Sequence, residues 1–286
     1  MRRIIIIVII IMLGPLAWMG LLFLTIPKNP HVAPTPSAVS PTPSPAPIPY
    51  TDKRSEVVGK YSTTVPPEGS ETATGVKTRF KTGQKAIALT FDACGGPNGS
   101  GYDKRLVDFL ITEKIPATLF INSRFIDANP EEFKVLAENN LFEIANHGLM
   151  HKPCSVSGQS AYEIKGTADV AEVFDEIQQN AQKIRELTGR QPKFYRSGTA
   201  FTDEVCPQIA WDIGEYVVNY SVLGDAGGTY PAKKVRSQLM SAEIGDIVLL
   251  HINKPTSGTA QGVISAIPEL KSQGFEFVKL SDVELE

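Results

Sequence analysis

The 286-residue chain has little excess charge and few cysteines, and each shortage narrows the functions open to it. The formal net charge is −3, and no basic cluster stands out beyond Arg2-Arg3, which argues against a nucleic-acid partner. Three cysteines allow at most one disulfide within the chain. The glycine-rich run at 95–101 lacks the Lys-Ser/Thr pair of a phosphate-binding loop, because Tyr102 and Asp103 follow it, so we interpret it as a flexible loop.

Charged residues are also missing from residues 4–26, which would span roughly 34 Å as a helix and could cross a bilayer. Arg2 and Arg3 precede this stretch, which predicts a cytoplasmic N-terminus and an exported remainder. No small-x-small cleavage pattern follows closely. We therefore expect residues 1–27 to be a cytoplasmic stub and an uncleaved, single-pass anchor in the cell membrane. A cleaved signal peptide and a secreted product are the alternative.

The next two segments lack the apolar residues that a core requires. Nine of the 21 prolines lie between positions 27 and 49, so residues 28–50 are predicted to form an extended linker that holds the remainder away from the membrane. Residues 51–82 are polar and rich in turn formers, and we interpret them as a lead-in segment with at most a short strand or two. The main domain is expected to cover residues 83–286.

From Gly83 onward, short apolar runs alternate with longer amphipathic segments, as in parallel strands joined by helices. About seven β/α units in about 200 residues predict an α/β protein with an incomplete barrel rather than a full eight-stranded one. The predicted strands are 85–91, 117–121, 142–146, 193–196, 216–220, 247–250 and 275–278. The predicted helices are 103–113, 130–139, 168–187, 203–214, 232–242 and 260–273.

Two of the four histidines, His147 and His151, are four residues apart directly after the third predicted strand. This helical spacing points both imidazoles the same way and favours a metal site, although a pair of surface histidines on a short helical turn has the same spacing. Further polar residues follow the ends of other strands, and in a parallel barrel these ends share one rim. They are Asp92, Arg196, Asp225 and His251.

These residue types suit metal-assisted hydrolysis. Two neutral imidazoles can hold Zn²⁺ or a similar divalent ion, which lowers the pKa of bound water. Asp92 could accept the proton of that water, and His251 could donate a proton to the leaving group. Arg196 could keep a carboxylate ionised, while Asp225 could orient His251 and raise its pKa.

Five ordered segments over about residues 85–280 resemble the polysaccharide deacetylase family, also called the NodB homology domain or carbohydrate esterase family 4. The resemblance implies a distorted (β/α)7 barrel with His147 and His151 as metal ligands. It also implies Asp92 as the catalytic base with Arg196 as its partner. His251 would be the catalytic acid, and Asp225 would orient it. The segments are Thr90-Phe-Asp-Ala-Cys-Gly-Gly96, His147-Gly-Leu-Met-His151, Arg196-Ser-Gly198, the segment around Asp225, and Leu249-Leu-His251.

The chain departs from the family pattern at two motifs. Ala93 stands where the family carries a second aspartate, the third metal ligand. Either His147 and His151 bind the metal with Asp92 or water, or another carboxylate such as Asp103 replaces the missing ligand, or the metal is bound weakly. Asp103 also has the position of a helix N-cap. In the third motif, Gly198-Thr199 replaces a proline and an aromatic residue, which leaves the shape of the substrate groove open.

The cysteines leave two arrangements open. Cys94 and Cys154 each lie near a predicted active-site segment, so we expect them to pair and Cys206 to be free and buried. Three unpaired, buried cysteines are the alternative.

The sequence therefore predicts a monomeric, membrane-tethered, metal-dependent hydrolase that removes N-acetyl groups from an amino-sugar polymer, with peptidoglycan as the expected substrate. A catalytically silent glycan-binding module is the main alternative, although such a module gains nothing from an acid and a base. A small-molecule amidohydrolase on the same fold is another, although it would not need a tether.

Overall fold

Parallel strands with buried side chains form the centre of the computed structural model, which describes residues 50–286. The predicted membrane anchor and almost the whole predicted linker lie outside the described residues. Within residues 50–286, no helix is both long enough and apolar enough to span a bilayer.

The described residues form ten strands and eight α-helices, and most of them lie within a few residues of the predicted positions. The strands are β1 (Phe80–Lys81), β2 (Ala86–Ala93), β3 (Ala117–Ile121), β4 (Phe142–Asn146), β5 (Phe194–Tyr195), β6 (Tyr216–Val217), β7 (Val222–Leu223), β8 (Ile247–His251), β9 (Glu276–Val278) and β10 (Glu284–Leu285). The helices are α1 (Tyr50–Tyr61), α2 (Lys104–Thr112), α3 (Ser123–Ala128), α4 (Pro130–Glu138), α5 (Val170–Thr188), α6 (Cys206–Ile213), α7 (Ala232–Met240) and α8 (Thr259–Ser272).

Eight strands form one parallel sheet: seven follow the order β6-β5-β4-β3-β2-β8-β7, and β9 pairs with the first residues of β2 on the edge opposite β8. Strands β6 and β7 are the outer strands of this order, and no ladder joins them in the described part of the chain. The sheet is therefore a curled half-barrel, which confirms the predicted α/β class. Strands β1 and β10 pair separately as an antiparallel ribbon.

Strand β2 separates two layers of core because its side chains alternate between the faces of the sheet. Ile87, Leu89, Phe91 and Ala93 pack in the apolar core that also contains residues of α2, α4 and α8. The intervening residues, which end with Asp92, point to the other face. This alternation decides whether a residue near the end of β2 faces the apolar core or the opposite side of the sheet.

Residues 51–82 contain the short strand β1, which fits the expectation for this segment, but helix α1 was not predicted. Its Val57 and Tyr61 pack in one apolar cluster with Phe174 of α5. The Arg54 side chain also donates to the Asp175 carboxylate, at 2.8 Å from Nε to Oδ1. A mostly polar segment becomes helical here because it packs on α5, which is distant in sequence. The local pattern of polar and apolar residues gives no sign of that contact.

The predicted Cys94–Cys154 disulfide is wrong. The bridge joins Cys154 to Cys206, whose Cα atoms are 6.1 Å apart, and Cys94 is free and buried. Cys154 lies in the loop that follows β4, and Cys206 is the first residue of α6. Folding brings this loop to the start of α6, whereas Cys94 lies beside the two histidines.

Candidate active site

The polar residues that follow the strands meet at the carboxyl edge of the sheet, where parallel strands end together. Some of them border a cavity of about 310 Å³. Asp92, Cys94, His151 and His251 are among the residues that line it.

A candidate metal centre borders this cavity, which two of its three residues, Cys94 and His151, line. Cys94, His147 and His151 are buried, and each offers one ligand atom within 4.8 Å of the other two. The Cys94 Sγ atom lies 3.7 Å from His147 Nε2. His147 Nδ1 donates to the carbonyl oxygen of Arg196 at 2.9 Å, which leaves Nε2 as the nitrogen for a metal. One thiolate and two imidazoles are ligands that Zn²⁺ prefers, so the residues present fit the expected metal.

The ionisation of Cys94 supports its role as a ligand. Burial alone would raise the pKa of the thiol, but the electrostatic interaction with His151 and the hydrogen bonds of the neighbouring histidines lower it well below its usual range. The thiolate is the form that binds metals.

Sequence reasoning missed Cys94 because it assigned that residue to a disulfide. Cys94 lies two residues after Asp92 and so continues the same face of β2, which is the signal that could have identified it. Ala93 points to the opposite face, into the apolar core under the helices. Asp103 lies outside the ligand cluster and caps α2, since its Oδ1 accepts from the Leu106 N–H at 3.0 Å.

The two histidines meet through a loop, not through the helical turn that their spacing indicated. Their ring centroids are 4.8 Å apart and the rings are nearly perpendicular. His151 has the left-handed backbone conformation, with φ of 60°. The loop is supported by Glu176 of α5, whose carboxylate accepts from the backbone N–H of Met150 at 2.9 Å and of Lys152 at 3.2 Å.

Asp92, which lines the cavity, forms a buried ion pair with Arg196. The Arg196 guanidinium donates to Asp92 Oδ1 at 2.7 Å and to the Asn219 carbonyl oxygen at 2.8 Å, and it stacks on the Phe120 ring at 4.0 Å. Burial alone would raise the pKa of Asp92, but Arg196 and the neighbouring histidines hold it below its usual range. Asp92 is therefore an ionised carboxylate that can accept a proton.

His251 and Asp225 form the second charged pair. The Nδ1 atom of His251 lies 2.8 Å from Asp225 Oδ1, and the other carboxylate oxygen accepts from the His251 backbone N–H at 2.8 Å and from the Thr259 hydroxyl at 2.7 Å. Burial would lower the pKa of His251, but Asp225 raises it well above its usual range. His251 can therefore hold a proton, with Nε2 as the ring nitrogen not bonded to Asp225.

The altered third motif forms a turn beside the metal ligands. A side chain at Gly198 would meet the carbonyl oxygen of His151 at 2.2 Å, so only glycine allows this approach. Thr199 and Ala200 follow with positive φ and line the cavity. The backbone of this turn therefore forms one wall of the site.

Known proteins share this sequence pattern and this fold. Residues 79–218 match the family model described as polysaccharide deacetylase. The chain is 29% identical over 205 residues to the peptidoglycan-N-acetylglucosamine deacetylase of Bacillus cereus, a match that covers 70% of this chain and 88% of the relative. It is 27% identical over 217 residues to the bifunctional xylanase/deacetylase of Pseudobutyrivibrio xylanivorans, covering 75% of this chain but only 33% of that longer protein.

The fold is also similar to solved structures. A CE4 family pseudoenzyme from Bacillus anthracis superposes with a TM-score of 0.61 at 21% identity, which covers 72% of this chain and 67% of that one. This likeness concerns the fold alone.

Proposed function

Because the chain belongs to the polysaccharide deacetylase family, we propose that it is a metal-dependent hydrolase that removes N-acetyl groups from an N-acetylated glycan, with peptidoglycan as its substrate. One observation carries the proposal. A thiolate and two imidazoles, those of Cys94, His147 and His151, lie beside the ionised Asp92 and the protonated His251, and all of these but His147 line one cavity. A module that only bound glycans would have no use for this combination.

Cys94, His147 and His151 would hold the metal, which we propose to be zinc. When bound there, zinc would supply Lewis-acid polarisation of the acetyl carbonyl group and a water of lowered pKa. Cys94 would take the place that an aspartate has in other members of the family. The fit of the donor set, one sulfur and two nitrogens, supports this assignment.

The other charged residues would move the protons of amide hydrolysis. Asp92 would accept a proton from the water that attacks the acetyl carbon, and Arg196 would keep Asp92 ionised until then. His251 would donate its proton to the amide nitrogen as the C–N bond breaks, which yields acetate and a free amine. Asp225 would orient His251 through Nδ1, in the way that a carboxylate orients a catalytic imidazole.

Tethering to the cell membrane on the extracytoplasmic side remains part of the proposal. The uncharged stretch at 4–26 and the proline-rich residues after it support it. Such a position would bring the cavity to the cell-wall glycan.

The proposal is tested by measuring acetate release from peptidoglycan and from N-acetylglucosamine oligomers, with and without a chelator, alongside the zinc content. We expect chelation to abolish release and added zinc to restore it. Cys94→Ala and His147→Ala should lose zinc while the far-UV circular dichroism spectrum is retained. Wild-type protein that binds zinc and glycan but releases no acetate would favour the silent binding module.

The catalytic residues are tested separately. Asp92→Asn and His251→Ala should each lower kcat by more than about a hundredfold with little change in KM, which is the usual size of a general acid–base contribution. Asp127→Asn, a change of an exposed aspartate on α3, is the matched control. A near wild-type rate in either site variant would remove that residue from the mechanism.

A further inference from the structure

One wall of the cavity comes from chain that precedes the region matched by the family model. Glu71 lies before that region, which begins at residue 79, yet it lines the cavity together with Tyr162 and Tyr220. The Tyr162 hydroxyl donates to Glu71 Oε1 at 2.7 Å, and the Tyr220 hydroxyl donates to Glu71 Oε2 at 2.5 Å. A single carboxylate therefore joins two tyrosines at the mouth of the cavity.

Glu71 is itself held in place. Its backbone carbonyl oxygen accepts from Asn219 Nδ2 at 2.5 Å, and the preceding Ser70 exchanges backbone hydrogen bonds with Thr202 at 2.9 and 3.1 Å. These contacts anchor the lead-in segment to the turn that follows Arg196. The position of the carboxylate is therefore set by the fold.

Tyr162 occupies a backbone conformation that is costly for its residue type. Tyr162 and Glu163 have φ of 50° and 63°, and Ala161 and Ile164 on either side exchange both backbone hydrogen bonds, at 3.1 and 2.9 Å. Positive φ at both central residues of a two-residue turn is typical of type I′, which favours Asn-Gly. A tyrosine here carries backbone strain.

Burial does not compensate for this strain, because Tyr162 is 73% exposed. Its hydroxyl is fixed by Glu71, so an aromatic ring with an exposed surface is held at the edge of the cavity. The C–H faces of sugar rings pack on aromatic surfaces of this kind, which combine an apolar body with a polar tip. A glycan longer than one sugar must extend out of the cavity and so can reach this ring.

We propose that Tyr162 binds a sugar ring of the glycan next to the sugar that loses its acetyl group, and that Glu71 is a positioning residue that fixes Tyr162 through its hydroxyl. This inference rests on the proposed function and deepens it, because it assigns to the chain a preference for polymers over single sugars.

The test compares N-acetylglucosamine oligomers of two to six sugars as substrates of the zinc-loaded full chain. Tyr162→Ala should raise KM for the hexamer about three- to tenfold, the range expected for one aromatic contact, and leave kcat within about twofold. The effect should be smaller for the shortest oligomer. Trp211→Ala is the matched control, since Trp211 is also an exposed aromatic residue, at 59%, but lies on α6 and does not line the cavity.

Two further variants separate binding from a structural role. Tyr162→Gly removes the ring and the strain together, so it should weaken hexamer binding without lowering the melting temperature. Tyr162→Phe and Glu71→Ala keep the ring but lose the hydrogen bond, and each should raise KM for the hexamer by less than Tyr162→Ala does. Unchanged KM for every oligomer in Tyr162→Ala, or an equal loss of kcat at all lengths, would overturn the proposal.

A binding measurement keeps this inference separate from the proposed function. Calorimetric titration compares binding of the hexamer to two proteins, the Asp92→Asn variant and the double variant Asp92→Asn/Tyr162→Ala. The dissociation constant of the double variant should be about three- to tenfold higher. If the wild type released no acetate, the proposed function would fail, and this titration would still decide the role of Tyr162. Equal affinity with and without the ring would refute that role in either case.

Discussion

Glu215, which precedes β6, should make the stability of this protein fall as the pH rises. Its side chain is completely buried, and Asn146 donates to its two carboxylate oxygens at 3.3 and 3.0 Å. Burial raises the pKa of Glu215 well above its usual range, and the hydrogen bond from Asn146 opposes this only in part. The folded protein therefore keeps this carboxyl group protonated at a pH where the unfolded chain has lost the proton.

The sign of the effect follows from proton counting. Above the unfolded pKa of about 4.3, and up to the raised folded pKa, the folded state binds one more proton than the unfolded state. The free energy of unfolding then falls as pH rises, by at most about 1.4 kcal/mol per pH unit for one proton. Glu215→Gln has the shape of the protonated acid and does not titrate, so it should remove this slope.

The assay is urea unfolding of both proteins at several pH values, with the disulfide intact. The free energy of unfolding of Glu215→Gln relative to wild type should rise by about 1 kcal/mol for each pH unit above 5 until the folded pKa is reached. All other titrating groups cancel in this difference. Glu138→Gln, at an exposed position at the end of α4, should show no such trend. A difference that is independent of pH would refute the reasoning.

Three further outcomes are expected. Asp103→Ala should lower the free energy of unfolding by about 1 kcal/mol, as loss of an N-cap does, and leave the zinc content unchanged, whereas loss of zinc would make Asp103 a ligand. Ala93→Asp should destabilise the fold by about 3 kcal/mol or more, because it buries a charge in the apolar core, and tighter zinc binding in a titration would contradict this. Cys206→Ala removes the disulfide to Cys154, which spans 52 residues, so the free energy of unfolding without reductant should be about 4 kcal/mol lower than that of the wild type. Equal free energies of unfolding in the variant and the wild type would contradict this.

The sequence by itself determined the class of fold and the edge of the sheet where the polar residues meet. Strands β3 and β4 have the predicted bounds, because apolar runs of this length between turn signals are local features. The order of strands and polar residues along the chain is enough to place Asp92, His147, Arg196 and His251 together, since the ends of parallel strands share one edge.

Only the tertiary structure decided which residues contact each other across long stretches of chain. It paired Cys154 with Cys206, placed the Cys94 thiol among the histidines and brought Glu71 to the mouth of the cavity. It also made α1 a helix through contacts with α5. Periodicity reports the environment of a residue relative to its near neighbours in sequence, whereas these contacts depend on the path of the chain between distant segments, which no local pattern encodes.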